Sequence, residues 1–221
     1  MSERHGVFIT FEGPDGSGKS TQLRMLAGRL RADGHRILES AEPGGTPIGR
    51  QIRRILLDPA NQDLCPTAEL LLMFAARAQN VEQWILPALD EGKIVLSDRF
   101  TDSTLAYQGE GRDLGIQTVL DVDRIACRGL VPDLTLVIDI DADAGLARAH
   151  HRNRGRTGTD ESRIDAQAAA FHRKVREAYH ASARREPKRV RLIDGDAAVE
   201  VVAERVWEEV KAILPVIARA D

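Results

Sequence analysis

Five short apolar runs punctuate the chain: VFITF at 7–11, HRILES at 35–40, KIVLSD at 93–98, LTLVIDI at 134–140 and RVRLID at 189–194. Each has the length and the near-continuous hydrophobicity of a strand buried on both faces. Between the runs, apolar positions recur with helical spacing. Leu23, Leu26, Ala27 and Leu30 share one face after the first run, and Val199, Val202, Val206, Trp207 and Val210 share another near 198–213. Further helical stretches lie near 66–90, 116–129 and 165–185, and Pro87 is expected to bend or close the first of these. Buried strands alternating with amphipathic helices predict an α/β fold, a parallel sheet of about five strands with helices on both faces. No internal repeat divides the sequence, so a single domain over 1–221 is expected. Ligands on such sheets sit beyond the carboxyl ends of the strands, where the polar residues of interest cluster here.

The first run opens into FEGPDGSGKST, residues 11–21. Gly13, four residues, then Gly18, Lys19 and Ser20 match the spacing of a P-loop, in which backbone N–H groups cradle phosphate oxygens at a helix N-terminus. The fold expected is therefore of the P-loop NTP hydrolase type. Gly13, Pro14, Asp15, Gly16, Ser17, Gly18, Lys19, Ser20 and Thr21 are candidates to bind ATP. Lys19 would reach the β and γ phosphates, and the Ser20 hydroxyl would ligate Mg2+. The run KIVLSDRF ends in Asp98, where P-loop proteins place a carboxylate for the metal. Arg99 adds a guanidinium fork beside it, suited to a second phosphate, which a plain ATPase does not need.

Composition changes the picture mainly by exclusion. The 221 residues carry a net charge of −3, with a sequence pI of about 6.1, so no global positive field attracts nucleic acid or anionic membrane. Cys65 and Cys127 have no metal-binding spacing, and no apolar run approaches a membrane span; the cytoplasm is expected. The absence of an N-K-x-D motif argues against a GTPase. The basic stretch AHHRNRGRTGTDESRID, 149–165, is by itself an ordinary solvated face. Beside a P-loop it reads as a mobile, Arg-rich lid of about 149–164 that closes over the phosphates and brings in an arginine.

FEGPDGSGKST, EPGGTPIG (42–49), ELLLMFAARAQNVEQWILPAL (69–89), DRFTDSTLAYQG (98–109) and PDLTLVIDID (132–141) stand in the order and spacing of bacterial thymidylate kinases. The sequence resembles that family over nearly its whole length, from Val7 to about Asp196. The resemblance implies a homodimeric P-loop nucleoside monophosphate kinase that uses ATP and dTMP as substrates, with Mg2+. It further implies that Arg99 clamps the dTMP phosphate and that Asp15 lies near the acceptor sugar and phosphate. Arg77 would read the thymine edge with Ser103, Thr104 and Gln108 nearby, and Tyr107 would lie against the deoxyribose. Glu42 and Pro43 belong to the same acceptor site, and Arg148 would stack on the donor adenine.

Three positions depart from the family pattern. Ala41 replaces an arginine before E-P-G-G-T. Met73 stands where an aromatic normally covers thymine, with Phe74 one residue on, and either could share a helix face with Arg77. His150 stands where many members carry a lid arginine, which leaves Arg152, Arg154 and Arg156 as alternative catalytic arginines. Two other functions fit parts of the sequence. One is a deoxynucleoside kinase in which Glu42 deprotonates a 5′-hydroxyl; the other is a non-catalytic ATP-binding regulatory module.

Overall fold

The computed structural model describes residues 6–154, 163–164 and 167–214, with the backbone alone for 149–154. All five apolar runs become strands: β1 Val7–Glu12, β2 Ile37–Ala41, β3 Ile94–Asp98, β4 Leu134–Asp139 and β5 Val190–Asp194. They form one sheet in the order β2-β3-β1-β4-β5, every neighbouring pair parallel. The register sets Phe11 opposite Asp98, and Ala41 opposite Asp98 from the other side, so the ends of β1, β2 and β3 converge.

The helices are α1 Lys19–Ala32, α2 Pro47–Leu57, α3 Pro66–Asn80, α4 Leu86–Asp90, α5 Thr101–Thr104, α6 Ile116–Ala126, α7 Ala142–Arg154, α8 Ala169–Arg185 and α9 Val199–Val210. Side chains on β1 alternate between two cores, as a period of two requires. Ile9 and Phe11 pack with Leu23, Leu26 and Leu30 of α1 and with Val202, Val206 and Val210 of α9. Phe8 faces the other way, onto Leu70 and Phe74 of α3, Val81, Ile85 and Leu89. A third cluster joins Leu56, Tyr107, Val137, Val175 and Tyr179. Each fully buried side chain of this kind contributes roughly 1.5–3 kcal/mol.

The long helix expected at 66–90 exists in three pieces. Between α3 and α4 the backbone widens into a π turn, Val81–Ile85. Pro87 has no N–H, and its ring would collide with the carbonyl four residues back; the wider turn relieves both, so Pro87 bends the helix rather than closing it. A second π segment, Leu105–Gly111, continues α5 and carries Tyr107 and Gln108.

The sequence reading passed over α2, α7 and the 101–111 segment. In α2 the period is present, since Ile48, Ile52, Ile55 and Leu56 recur at helical spacing, although Ile48 and Ile55 end up exposed. A second signature lies at its start, where the Thr46 hydroxyl accepts from the Gly49 N–H at 2.9 Å and Pro47 occupies the first turn. The stretch from 149, expected to be loop, begins as the last turns of α7, because Ala142, Ala144, Leu146, Ala147, Arg148 and Ala149 are strong helix formers. The remainder of the expected lid, 155–162, and with it Arg156, lies outside the described residues.

Candidate active site

The phosphate loop is built by backbone that only glycine tolerates. Gly13 has φ 127°, and a Cβ there would run into the Ile138 carbonyl of β4; Gly18, with φ 94°, turns the chain into α1. Lys19 is buried and folds back onto the loop, its Nζ donating to the Pro14 carbonyl at 2.8 Å. Burial, and then the charge of Arg99, push the Lys19 ammonium down to about 8. Anionic oxygens in the loop would reverse that cost. The buried Ser17 hydroxyl has no protein partner among the described residues, another polar atom left to a ligand. At the first turn of α1, the Ser20 hydroxyl donates to Asp98 at the end of β3.

Arg99 is the hub of the second half of the site. It follows β3 with φ 74°, held by its own N–H on the Phe11 carbonyl at 2.9 Å. Its Nη2 donates to Asp15 at 2.6 Å and to the Tyr107 hydroxyl at 3.2 Å, and its Nη1 donates to Ser103 at 2.9 Å and Tyr179 at 3.3 Å. The guanidinium lies 4.8 Å from the Tyr107 ring centre. The Tyr107 hydroxyl in turn donates to the other Asp15 oxygen at 2.8 Å. Burial would raise the Asp15 carboxyl, but Arg99 and Lys19 outweigh it and hold the group below the usual carboxylate range. Burial likewise opposes the Arg99 charge, and Tyr107 and Asp15 overcome it, so the guanidinium stays charged.

A second buried pair lies deeper. Arg77 of α3 donates from Nε to Glu42 at 2.5 Å and from Nη2 to the Phe100 carbonyl at 3.0 Å, while Asn80 donates to the other Glu42 oxygen at 2.9 Å. Glu42 follows β2 and precedes Pro43 through a cis peptide bond. The rings of Phe74 and Phe100 flank the guanidinium at 4.8 and 5.0 Å. Arg77 is 2% exposed, yet its Nη1 has no partner among the described residues. A buried, charged N–H without an acceptor is a site for a ligand oxygen.

Other expected residues take different parts. Gln108 is buried, and its amide donates at 2.9 Å to Glu69, which also receives Arg112 at 3.1 Å and Arg163 at 2.5 Å. Burial would raise the Glu69 carboxyl, but these donors hold it below its ordinary range. Gln108 is thus tied into a network beneath the site. Phe74 is a core residue under Arg77, whereas Met73 is only half-buried beside the third cluster. Thr104 is buried within the segment that presents Tyr107. Arg148 of α7 is half-exposed, 3.9 Å from Asp196. The side chains of Arg152 and Arg154 lie outside the described residues.

Comparison with known proteins gives the family. The family model for thymidylate kinase matches residues 11–206. The chain belongs to the thymidylate kinase family. It is 49% identical over 200 residues to the thymidylate kinase of Syntrophotalea carbinolica, covering 90% of this chain and 93% of that one. With the thymidylate kinase of Thermomicrobium roseum it shares 48% over 207 residues, covering 94% and 95% of the two chains. The crystal structure of thymidylate kinase from Ehrlichia chaffeensis matches with a TM-score of 0.75 at 30% identity, over 93% of this chain and 98% of that one.

Sequence reasoning did not single out Glu12, Glu69, Asn80 or Tyr179. Asn80 carried a signal, since it stands three residues after Arg77 on the same helical face. Glu12 sat inside the quoted P-loop stretch without being singled out. Tyr179 reaches the site only through tertiary packing, which no local pattern shows.

Proposed function

We propose that this thymidylate kinase transfers the γ-phosphoryl group of ATP to dTMP, giving dTDP and ADP and supplying dTTP synthesis. The observation that carries the reading is the bond between two anion sites: the Arg99 fork reaches Asp15, inside the phosphate loop, at 2.6 Å. An acceptor phosphate on Arg99 would thus lie next to the γ-phosphate on Lys19. A dTMP phosphate oxygen is already anionic near neutral pH, so the reaction needs alignment and charge neutralisation rather than a strong base. Lys19 and Arg99 supply fixed positive groups, and a lid arginine among Arg152, Arg154 and Arg156 would add another. Arg77 would offer its unpaired Nη1 to a thymine oxygen, with Met73 covering the ring, since Phe74 is committed to the core.

Magnesium suits Ser20 and Asp98. Hydroxyl and carboxylate oxygens are the hard donors it prefers, the two groups are already in contact, and Asp98 makes no ion pair among the described residues. Bound there with ATP, the metal would supply positive charge to offset that of the phosphates. The described residues hold no cluster of three or more His, Cys, Asp or Glu that could bind a metal, which fits an ion shared mainly with phosphates and water.

A deoxynucleoside kinase is disfavoured because both Glu42 oxygens are occupied, by Arg77 and Asn80, and cannot readily accept a hydroxyl proton. A homodimer is also proposed: Ile55 of α2, Leu71 of α3 and Leu120 of α6 are exposed on helices of one side of the sheet. The deciding experiment is ADP release from Mg·ATP with dTMP, dUMP, UMP, CMP, AMP, GMP and thymidine offered separately. Strong preference for dTMP is expected; preference for thymidine or another monophosphate would overturn the assignment.

A further inference from the structure

Glu12 ends β1 one residue before the phosphate loop and is 0% exposed. No arginine or lysine among the described residues bonds to it directly, which is an unusual state for a buried carboxyl. Every donor it has lies on the Arg99 side. Its Oε1 accepts the Phe100 N–H at 2.7 Å; its Oε2 accepts the Ser103 hydroxyl and, at 3.4 Å, the Tyr179 hydroxyl. The two hydroxyls also contact each other at 2.8 Å. The charged groups facing it are Arg99, Lys19 and Asp102, the last paired with Arg189 at 2.7 Å.

We propose that Glu12 is a positioning residue for Arg99: it holds the left-handed turn after β3 and fixes the roll of the guanidinium through Ser103 and Tyr179. Backbone control comes from consecutive residues of β1. The Phe11 carbonyl takes the Arg99 N–H, and the Glu12 carboxyl takes the next one, that of Phe100. Arginine does not favour φ 74°, so the turn needs such anchors. Side-chain control follows from donor counting. Glu12 on one side and Tyr179 on another take up the Ser103 proton and one lone pair, which leaves a lone pair facing Arg99 Nη1, the donor to it at 2.9 Å. Without a hydrogen-bonding partner at Glu12, the hydroxyl is free to turn its proton toward Arg99 and oppose its N–H. The inference rests on the reading of Arg99 as the acceptor-phosphate clamp.

The test compares Glu12→Ala, Glu12→Gln and Arg99→Ala by steady-state kinetics, varying dTMP at saturating ATP and then the reverse. Glu12→Ala should raise the KM for dTMP by about 30-fold or more while the KM for ATP stays within about threefold, the loss expected when a charged contact is misplaced. Glu12→Gln keeps an acceptor for Phe100 and should recover most of that loss. Equal damage to both KM values, or an unchanged KM for dTMP, would overturn the inference. If Arg99→Ala also leaves the KM for dTMP unchanged, the clamp reading itself fails; if Arg99→Ala raises it and Glu12→Ala does not, only the role of Glu12 fails. Should Glu12→Ala not fold, Glu12→Gln, Ser103→Ala and their combination decide: non-additive effects on kcat/KM for dTMP are expected, and additive ones overturn the inference.

Discussion

Replacing Arg77 by lysine isolates the one contact that separates base reading from folding. Arg77 makes three kinds of use of its fork: Nε on Glu42 at 2.5 Å, Nη2 on the Phe100 carbonyl at 3.0 Å, and Nη1 unpaired. A lysine ammonium has three N–H donors, enough for Glu42 and the Phe100 carbonyl, but cannot also reach outward. The charge balance of the buried pair survives, and one bond from a charged donor to a thymine oxygen is lost. Such a bond is worth about 1.5–3 kcal/mol, which corresponds to about a 10- to 150-fold fall in kcat/KM for dTMP. Coupled ADP-release kinetics with dTMP varied would measure it, and the KM for ATP should stay within about twofold. Thermal unfolding of the ligand-free protein should differ little from the parent. Arg77→Ala provides the contrast: it strands the Glu42 carboxylate in the core, at a cost of about 3–5 kcal/mol in stability. A lysine variant within about threefold of the parent in kcat/KM for dTMP, or one equally impaired toward ATP, would refute the reasoning.

Four other outcomes follow from the same geometry. Arg99→Ala should lower kcat/KM for dTMP by about 30- to 4,000-fold, because it removes a buried charge-assisted fork worth about 2–5 kcal/mol; nucleotide titration should show ATP binding nearly intact. Tyr107→Phe loses a hydroxyl on Asp15, worth about 1 kcal/mol, whereas Tyr107→Ala also removes the ring over Arg99 and should relax preference for deoxyribose, read by comparing dTMP with its ribose analogue. Glu69→Ala leaves the buried guanidinium of Arg163 unpaired and should cost about 3–5 kcal/mol in chemical denaturation. Burial, then Asp102, push the Glu12 carboxyl up from 4.5 to about 8, so its contribution to stability is complete below pH 4.5 and is lost as pH rises through 8. Glu12→Gln should therefore flatten the decline of unfolding free energy across that window, by up to about 3 kcal/mol at pH 7 in chemical denaturation, and an unchanged pH dependence would count against a raised carboxyl.

The sheet was legible because strands buried on both faces are continuous apolar runs, and all five were found where the runs lay. Strand ends then placed Asp98, Arg99 and Glu42 near the phosphate loop, since parallel strands deliver their carboxyl ends to one edge. What the sequence concealed has two physical causes. The apolar residues of 101–111, Leu105, Ala106 and Tyr107, are consecutive and leave no period, and α7 is written in helix propensity rather than amphipathicity; α2, by contrast, was legible in Ile48, Ile52, Ile55 and Leu56. Glu12, Tyr179 and Arg163 act across 80 or more residues of chain, from Glu12 to Ser103, Tyr179 to Arg99 and Arg163 to Glu69, so their roles exist only after folding. The sequence also did not show that the Gln108 amide N–H is tied to Glu69, a carboxylate that already gathers two guanidinium groups.

Both acceptor-side arginines carry their own carboxylate, Glu42 for Arg77 and Asp15 for Arg99. Among the described residues these two guanidinium groups are therefore close to charge-balanced. Paired in this way they exert little long-range pull on stray anions such as free phosphate, and recognition passes to the directions in which N–H bonds point. On the function proposed above, a monophosphate nucleotide would span two fixed donors, a ruler rather than a magnet, and its capture should depend only weakly on ionic strength.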